Sequence, residues 1–327
     1  MTKPRVLCLG EVLFDFLSDQ PGVALEAVTS WTPYPGGAPA NVACGLAKLG
    51  TASGFIGCVG KDRAGVELVQ VLQAAGVDTT GVQWHPTAPT RGVYVVRSAE
   101  GDRHFAGFGE FDTTGFADTH LQAHGIRPDL LDECEYLVLG TIGLAYPESA
   151  AAIAHMLDLA EAAYLKIVVD VNWRPVFWTN PEAAPAIIKN LLARVDFLKL
   201  SQEEADWLFG TQFPAEIAAQ VDQLEGVLVT AGEAGCAYWV NGHQGQIPAF
   251  AVDVEDTTGA GDGFVAGFVH QLCEQGIHRL DDATVVQKMV SYASAVGALT
   301  ATRPGAIAAQ PTAAEVEAFL YLQGQEG

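Results

Sequence analysis

Basic residues are scarce in this 327-residue sequence. Lys and Arg number 17 against 39 Asp and Glu, which gives a formal net charge of −22 at pH 7. This charge would repel a polyanion such as DNA, and the basic residues are spread along the chain without forming a patch. We therefore expect no nucleic-acid partner. A phosphate group would have to be bound by local backbone amides and a metal ion rather than by the overall field of the protein.

The sequence also lacks long hydrophobic runs and paired cysteines. Its first apolar segment, Val6–Leu9, is too short for a signal-peptide core or a membrane-spanning helix, so we expect no membrane partner and a cytoplasmic location. The six cysteines form no Cys-x-x-Cys pair, and several lie in apolar runs, which argues against a zinc site and a disulfide framework. No Gly-x-Gly-x-x-Gly follows the first apolar segment, which argues against a dinucleotide-dependent oxidoreductase.

Segments with strand and helix character alternate along most of the chain. Short apolar segments typical of buried strands lie at 6–9, 55–59, 136–139, 167–171, 197–200 and 227–230. Segments typical of helices lie between them at 40–49, 65–75, 150–163, 183–193 and 215–223. This alternation predicts a single α/β domain over residues 1–327, with a three-layer α/β/α core and a mainly parallel sheet.

Two segments break the alternation. Residues 92–108 have the pattern of a β-hairpin with a turn at 99–102, and residues 14–35 are non-helical up to a Pro/Gly loop. We predict that about 14–35 and 90–110 form a small β-sheet lid over the core. Such a lid would shield a reaction from water, although a plain surface hairpin has the same pattern.

The most informative segment is the nine-residue string 256–264, Asp-Thr-Thr-Gly-Ala-Gly-Asp-Gly-Phe, which precedes an apolar helix. A turn of small residues at a helix N-terminus exposes backbone amides to an anion, and the helix dipole adds to the attraction. Asp262 lies in the first turn, where a carboxylate could accept a proton from a hydroxyl that attacks a bound phosphate. A helix-capping aspartate is the structural alternative.

This string and three segments near the N-terminus resemble the ribokinase-like, or pfkB-type, carbohydrate kinases, and within them the fructokinase branch. The matching segments are 10–15 (Gly-Glu-Val-Leu-Phe-Asp), 34–43 (Tyr-Pro-Gly-Gly-Ala-Pro-Ala-Asn-Val-Ala) and 57–65, of which we interpret the last as structural. The resemblance spans nearly the whole chain. It implies a ribokinase-like fold and an ATP-dependent kinase that phosphorylates a primary hydroxyl of a sugar, with fructose as the expected substrate.

The resemblance also implies roles for individual residues. For catalysis these are Asp262 as the base, the amides of Gly259, Ala260 and Gly261, and Arg174. For the sugar they are Asp15, Gly36, Gly37, Asn41 and, at the start of the lid hairpin, Arg91, which could instead be a solvated surface arginine. For ATP they are Asn172, Lys199, Thr230, Gly232, Gly235 and Ser294.

The sequence departs from the family at residues 201–204. Relatives often have Asn-x-x-Glu here, a motif linked to magnesium and phosphate, whereas this chain has Ser201 in place of the Asn and keeps Glu204. The resemblance implies that Mg²⁺ still binds, with Glu204 acting through water, because phosphates and water supply most of its ligands. A helix-capping box is the structural interpretation of the same four residues.

A potassium site is a further implication. Residues 302–306 resemble a loop that encloses K⁺ in many relatives, and the candidate backbone ligands are Asp256, Thr258, Thr300, Arg303 and Gly305. Backbone ligands leave little trace in sequence, so dependence on potassium stays open.

Other functions remain open at this point. A kinase of the same fold could act on 2-keto-3-deoxygluconate, ribose or a nucleoside. A catalytically silent regulatory or scaffold relative is favoured by Ser201 and opposed by Asp262 with its intact anion site. A homodimer through the lid is possible, since the apolar Val93, Val95 and Phe105 would permit it.

Overall fold

The computed structural model describes residues 3–98 and 103–324, and the turn predicted at 99–102 lies outside them. The strands of these residues are β1 (Val6–Leu9), β2 (Leu13–Ser18), β3 (Trp31–Gly36), β4 (Ser53–Gly60), β5 (Asp78–His85), β6 (Gly92–Arg97), β7 (Arg103–Gly107), β8 (Tyr136–Leu139), β9 (Lys166–Asp170), β10 (Phe197–Ser201), β11 (Gly226–Thr230), β12 (Cys236–Val240) and β13 (His243–Ile247). The helices are α1 (Ala38–Leu49), α2 (Arg63–Ala74), α3 (Pro147–Ala162), α4 (Ala184–Leu192), α5 (Gln202–Phe209), α6 (Pro214–Ala218), α7 (Ala260–Gln275), α8 (Ala283–Thr300) and α9 (Ala313–Gln323).

A large sheet forms the centre of the molecule. Within the described residues it has nine strands in the order β13-β12-β11-β10-β9-β8-β1-β4-β5. The strands from β11 to β5 pair in parallel, and β12 and β13 extend the β11 edge antiparallel. The predicted α/β fold with a mainly parallel sheet is confirmed.

Helices cover both faces of the large sheet. Along β1, Val6 and Cys8 pack into the core beneath α1, α2, α7 and α8, whereas Leu7 and Leu9 pack into the core beneath α3 to α6. Because successive residues of a strand point to opposite faces, a strand between two helix layers must be apolar throughout. This explains why the central strands are continuous apolar segments in the sequence.

A second, smaller sheet is built from four strands of the described residues, in the order β3-β2-β6-β7. β2 pairs in parallel with β6, and the outer pairs are antiparallel. The chain enters and leaves this sheet in four places, at 10–12, 37, 90–92 and beyond 107. The small sheet is therefore interleaved with the core in sequence.

The small sheet turns one face toward a cleft between the two sheets. The side chains on this face include Leu13, Asp15 and Leu17 of β2, Val93 and Val95 of β6, and Phe105 of β7. Val93, Val95 and Phe105, whose apolar character would permit a dimer contact, thus line the cleft. Their alternation along the strands places them on the same face as Asp15.

Neither a membrane span nor a disulfide is found in the described part of the chain. There, no helix is both long and apolar enough to cross a membrane. The six cysteines are free thiols, and five of them are buried.

Candidate active site

The cleft has a volume of about 830 Å³ and lies at the carboxyl ends of β1, β9 and β10, beneath the small sheet. In open α/β sheets ligands bind at this edge, where the strand order reverses; here it reverses at β1. Of the residues that the sequence analysis gave a catalytic, substrate-binding, ATP-binding or metal-binding role, those that line the cleft are Asp15, Gly37, Asn41, Asn172, Arg174, Lys199, Glu204, Asp256, Thr258, Gly259, Gly261, Asp262 and Gly305. The structure thus brings together residues from both ends of the chain.

The two glycines before α1 are required by close backbone approach. A Cβ at Gly36 would lie 2.6 Å from Asp15 Oδ2, so glycine leaves room for that carboxylate. Gly37 has φ of +103°, and a Cβ there would lie 2.5 Å from the carbonyl oxygen of Glu11. A side chain at Gly36 would displace the Asp15 carboxylate, and one at Gly37 would push the start of α1 away from the backbone of Glu11 and Val12.

Glu11 was not singled out by the sequence analysis. Its buried carboxylate accepts a hydrogen bond from the backbone N–H of Ala38, the first residue of α1, at 3.1 Å. Burial raises the pKa of Glu11 to about 7, partly opposed by backbone hydrogen bonds, while the charges of Asp118 and Asp262 add to the rise. An acidic residue two positions after a buried strand was the available signal. Glu11 holds the end of β1 against the start of α1.

Asp262 is the third residue of α7, and it does not cap the helix. The N-cap is Gly259, with φ of 78°, and no side chain makes a capping hydrogen bond there. A Cβ at Gly259 would lie 2.8 Å from Cα of Ala306, so this position also needs glycine. The Ala260 N–H donates to the carbonyl of Thr257 at 3.2 Å, so this amide is already paired within the turn. Gly259 and Gly261 line the cleft, whereas Ala260 does not.

Asn41 links the start of α1 to Asp262. Its Nδ2 donates a hydrogen bond to Asp262 Oδ2 at 2.8 Å. Asn41 Oδ1 is buried and has no hydrogen-bond partner among the described residues. A buried acceptor without a partner is costly, so a donor group that reached this oxygen would be bound favourably.

The pKa of Asp262 is raised above its ordinary value. Burial raises it, while the hydrogen bond from Asn41 and the charges of Lys199 and Arg174 oppose the rise. If Asp262 is a base, activity must fall as the pH drops through this raised pKa.

Removal of the Asn41 hydrogen bond is expected to shift the acid limb of the pH–rate profile. In Asn41→Leu the ionised form of Asp262 loses a donor, so its pKa rises further and the acid limb of kcat moves to higher pH. The measurement is kcat against pH at saturating substrates, with Asn190→Leu on the exposed face of α4 as the control. An acid limb that stays in place, or moves to lower pH, would contradict the assignment of this limb to Asp262.

A buried ion pair lies beside the first turn of α7. Lys199 Nζ is 3.1 Å from both carboxylate oxygens of Asp170, and both residues are almost fully buried. Burial alone would lower the pKa of Lys199, but the charges of Asp170 and Glu204 outweigh it and raise the pKa. A Cβ at Gly261 would lie 3.0 Å from Lys199 Nζ, which places this ammonium group directly against the helix turn. The cleft thus has a fixed positive charge among its carboxylates.

Glu204 joins two loops at the edge of the cleft. Its Oε2 accepts from the Ser201 N–H at 2.7 Å, and Ser201 Oγ accepts from the Glu204 N–H at 3.2 Å. The capping box is confirmed. Glu204 Oε1 also accepts from the N–H of Trp173 at 2.5 Å, which fixes the segment that carries Asn172 and Arg174. Asn172 has φ of 40°, so the chain turns sharply after β9 and brings Arg174 to the cleft.

The loop at 303–306 is tied to the turn before α7. Asp256 accepts from the N–H of Thr258 at 2.9 Å and from the N–H of Gly305 at 3.1 Å. The side chains of two other potassium candidates are engaged elsewhere: Thr300 Oγ1 donates within α8 to Val296, and Arg303 pairs with Glu315 of α9 at 2.6 Å. The candidate ligands of these two residues therefore remain their backbone carbonyls, as the resemblance implies.

Within the described residues, four of those predicted to bind ATP do not line the cleft. They are Thr230, Gly232, Gly235 and Ser294. Thr230 ends β11 and donates to the carbonyl of Leu200 at 3.2 Å. A Cβ at Gly235 would lie 2.0 Å from the carbonyl oxygen of Ile247, so packing of the β11–β12 turn is enough to require that glycine.

Arg91 is not placed at the cleft. Its side chain is fully buried, and its Nε donates to Asp118 at 2.7 Å. Its guanidinium is enclosed by protein groups and does not line the cleft, so a contact from Arg91 to a bound sugar or phosphate stays an untested prediction. The alternative of a solvated surface arginine is wrong.

The chain resembles known proteins over almost its full length. Residues 3–313 match the family described as pfkB family carbohydrate kinase. Probable fructokinase-5 of Arabidopsis thaliana is 35% identical over 322 residues, which cover 97% of each chain. Fructokinase with bound ATP from Xylella fastidiosa has a crystal structure that matches with a TM-score of 0.87 at 30% identity, covering 98% of each chain.

A second solved structure, a fructokinase double mutant from Vibrio cholerae O395 bound to fructose, ADP and potassium ion, matches with a TM-score of 0.83 at 28% identity. The match covers 97% of this chain and 98% of that one. These findings confirm the resemblance that the sequence motifs predicted.

Proposed function

Because this chain belongs to the pfkB family of carbohydrate kinases and is an ATP-dependent sugar kinase, we propose that the sugar it phosphorylates is fructose. The observation that carries the proposed mechanism for this sugar is the hydrogen bond between Asn41 and Asp262. It joins the segment that resembles the family's sugar-binding motif to the segment that resembles its phosphate-binding motif. Similarity to fructokinases, one of them bound to fructose, supports fructose as the acceptor.

Asp262 acts as the base in the proposed mechanism. Asp15, Asn41 and the backbone at Gly36 and Gly37 bind the sugar hydroxyls and hold a primary hydroxyl near Asp262. Asp262 accepts the proton of that hydroxyl as its oxygen forms a bond to the γ-phosphorus of ATP. The bond between that phosphorus and the β,γ-bridging oxygen breaks, and ADP leaves.

Positive groups around the first turn of α7 offset the charge of the transferring phosphoryl group. Lys199 lies against this turn, and Arg174 lines the same cleft. The backbone at Gly259 and Gly261 adds amide dipoles and the positive end of the helix. Electrostatic stabilisation and positioning supply most of the catalysis in phosphoryl transfer, so these groups suit the reaction.

Magnesium and potassium belong to the same proposal. Glu204 would hold Mg²⁺ through water, and the ion would offset negative charge on the phosphates. Each Glu204 oxygen accepts one backbone hydrogen bond and keeps a second lone pair, which a metal-coordinated water would use. The loops joined by Asp256 would enclose K⁺ with backbone carbonyls. The potassium bound to the Vibrio cholerae relative supports this assignment.

An assay of ADP release with MgATP tests the substrate. Fructose, ribose, 2-keto-3-deoxygluconate and adenosine are compared with and without K⁺, and we expect kcat/KM for fructose to exceed the others by at least tenfold. Strong turnover on another member would replace fructose and keep the mechanism. Silence across the panel, with ATP still bound, would favour a catalytically silent regulatory or scaffold relative.

Location and assembly are part of the proposal. Free cysteine thiols are typical of a reducing compartment, which supports the cytoplasm. A homodimer through the small sheet would have to use the face opposite the cleft, where Phe16 stacks on Tyr94 at 4.9 Å and Trp31 meets Tyr94 edge-on. Light scattering on the purified protein would determine the oligomeric state.

A further inference from the structure

Arg91 is enclosed by an aromatic cage. The centres of four rings lie 4.6 to 5.4 Å from the guanidinium carbon, and they belong to Phe108, Phe116, Tyr146 and Phe177. Asp118 completes the enclosure as the ion-pair partner. A buried ion pair contributes little net stability compared with apolar residues of similar volume, because both charges lose their hydration. Stability alone therefore gives little reason for an arginine here.

The backbone of Arg91 marks the point where the chain passes from the large sheet to the small one. On the core side, Thr90 is fixed by Asp62, the N-cap of α2, which accepts hydrogen bonds from both its N–H and its hydroxyl. On the other side, the Arg91 carbonyl accepts from the Phe14 N–H of β2 at 3.1 Å. Asp15 follows Phe14 directly. Any rotation of the small sheet about this crossing would therefore move Asp15.

Hydrogen bonds from the guanidinium group lead from this crossing to the segment that carries Phe177 and Arg174, which line the cleft. Arg91 Nη2 donates to the carbonyl of Thr113 at 3.0 Å and to Tyr146 Oη at 3.3 Å. Tyr146 Oη in turn donates to the carbonyl of Phe177 at 2.8 Å, and the Phe177 N–H donates to the carbonyl of Arg174 at 3.1 Å. A continuous series of contacts thus connects the backbone next to Asp15 with the backbone of Arg174.

We propose that Arg91 is a positioning residue for phosphoryl transfer: it holds the small sheet, which carries Asp15, in a fixed position relative to the segment that carries Arg174. The inference rests on the proposed function, in which Asp15 binds the sugar and Arg174 faces the phosphate. A planar guanidinium can bind Asp118, Thr113 and Tyr146 at once, whereas a lysine ammonium is a point charge on a flexible stem. The proposed role therefore depends on the planar shape of the guanidinium group as well as on its charge.

Arg91→Lys tests the proposal. Since misplacement of reacting groups by about 1 Å can cost roughly 100-fold, we expect kcat/KM for fructose to fall roughly 10- to 100-fold, through both a higher KM and a lower kcat. The Kd for ADP, measured by calorimetry, should stay within about twofold, because the nucleotide alone does not span the two parts. Melting temperature and the fraction of folded enzyme are measured on the same samples.

The matched control is Arg5→Lys at the opposite end of the large sheet. The Arg5 guanidinium binds Glu135 and the carbonyl of Cys273, before the start of β1 and far from the cleft. This variant should lose stability and keep its kinetic constants. If Arg91→Lys does the same, with kinetic constants per folded enzyme within about twofold of wild type, the positioning role is overturned.

Tyr146→Phe decides the question if Arg91→Lys fails to fold. It removes one hydroxyl from the series of contacts and keeps the ring and the ion pair. We expect kcat/KM for fructose to fall about three- to tenfold with the Kd for ADP unchanged. Unchanged kinetics in Tyr146→Phe would overturn this inference and leave the proposed function standing. A wild-type protein that is inactive on every sugar would overturn both the proposed function and this inference.

Discussion

Asp262→Asn is expected to lower kcat for the sugar kinase reaction by roughly 10³- to 10⁴-fold while leaving ATP binding intact. Asparagine has nearly the same shape and can keep a hydrogen bond with Asn41, but it cannot accept a proton. The first turn of α7 and the ion pair of Lys199 with Asp170 are not altered. The loss should therefore appear in turnover, with little change in stability.

Single-turnover kinetics measures the loss of turnover, and calorimetry with ADP measures nucleotide binding separately. The control is Asp282→Asn, the same change at the start of α8, where an asparagine can also accept the capping hydrogen bond from the Thr284 N–H. This control should behave as wild type. A kcat for Asp262→Asn within about tenfold of wild type would exclude Asp262 as the base.

Lys199→Met should destabilise the protein by about 3–5 kcal/mol, because it leaves the buried carboxylate of Asp170 without its partner. It should also lower kcat by roughly 10²- to 10³-fold, since the phosphoryl group loses a fixed positive charge beside the turn at Gly261. Chemical denaturation measures the first effect. Steady-state kinetics on the folded fraction measures the second.

The double variant Lys199→Met with Asp170→Asn separates structure from catalysis. It removes both buried charges, so most of the lost stability should return. Turnover should stay low, because no ammonium group remains against α7. Recovery of both stability and turnover would mean that Lys199 serves only to neutralise Asp170.

The residues that the sequence placed correctly at the cleft share one property. Asn41 and Asp262 lie in the first turns of helices and Arg174 follows β9, and in a parallel sheet such positions meet at one edge; Asp15 lies in β2 of the small sheet, which faces that edge. The pattern of apolar segments therefore predicts both the fold and the neighbourhood of these residues. Lys199, which the resemblance implied for ATP, lies in β10 near the same edge.

Arg91 could not be placed from sequence because its environment comes from distant segments. The rings of Phe108, Tyr146 and Phe177 enclose it, and no local pattern predicts that they converge. Likewise, alternation in β6 shows that Val93 and Val95 share a face, but not which way the sheet turns. The helix predicted at 215–223 begins one residue early and ends at Ala218, since boundaries depend on tertiary contacts as well as on propensity.

The central position of β1 in the large sheet has a consequence for the newly synthesised chain. β1 leaves the ribosome before both of its neighbours, β4 and the much later β8. At ribosomal speeds β8 follows on the order of ten seconds after β1, and until then one edge of an apolar strand has no partner. Nascent chains that stop before Leu139 should therefore aggregate or recruit chaperones more than longer chains do. Changes in translation speed or temperature should affect aggregation mainly during this interval.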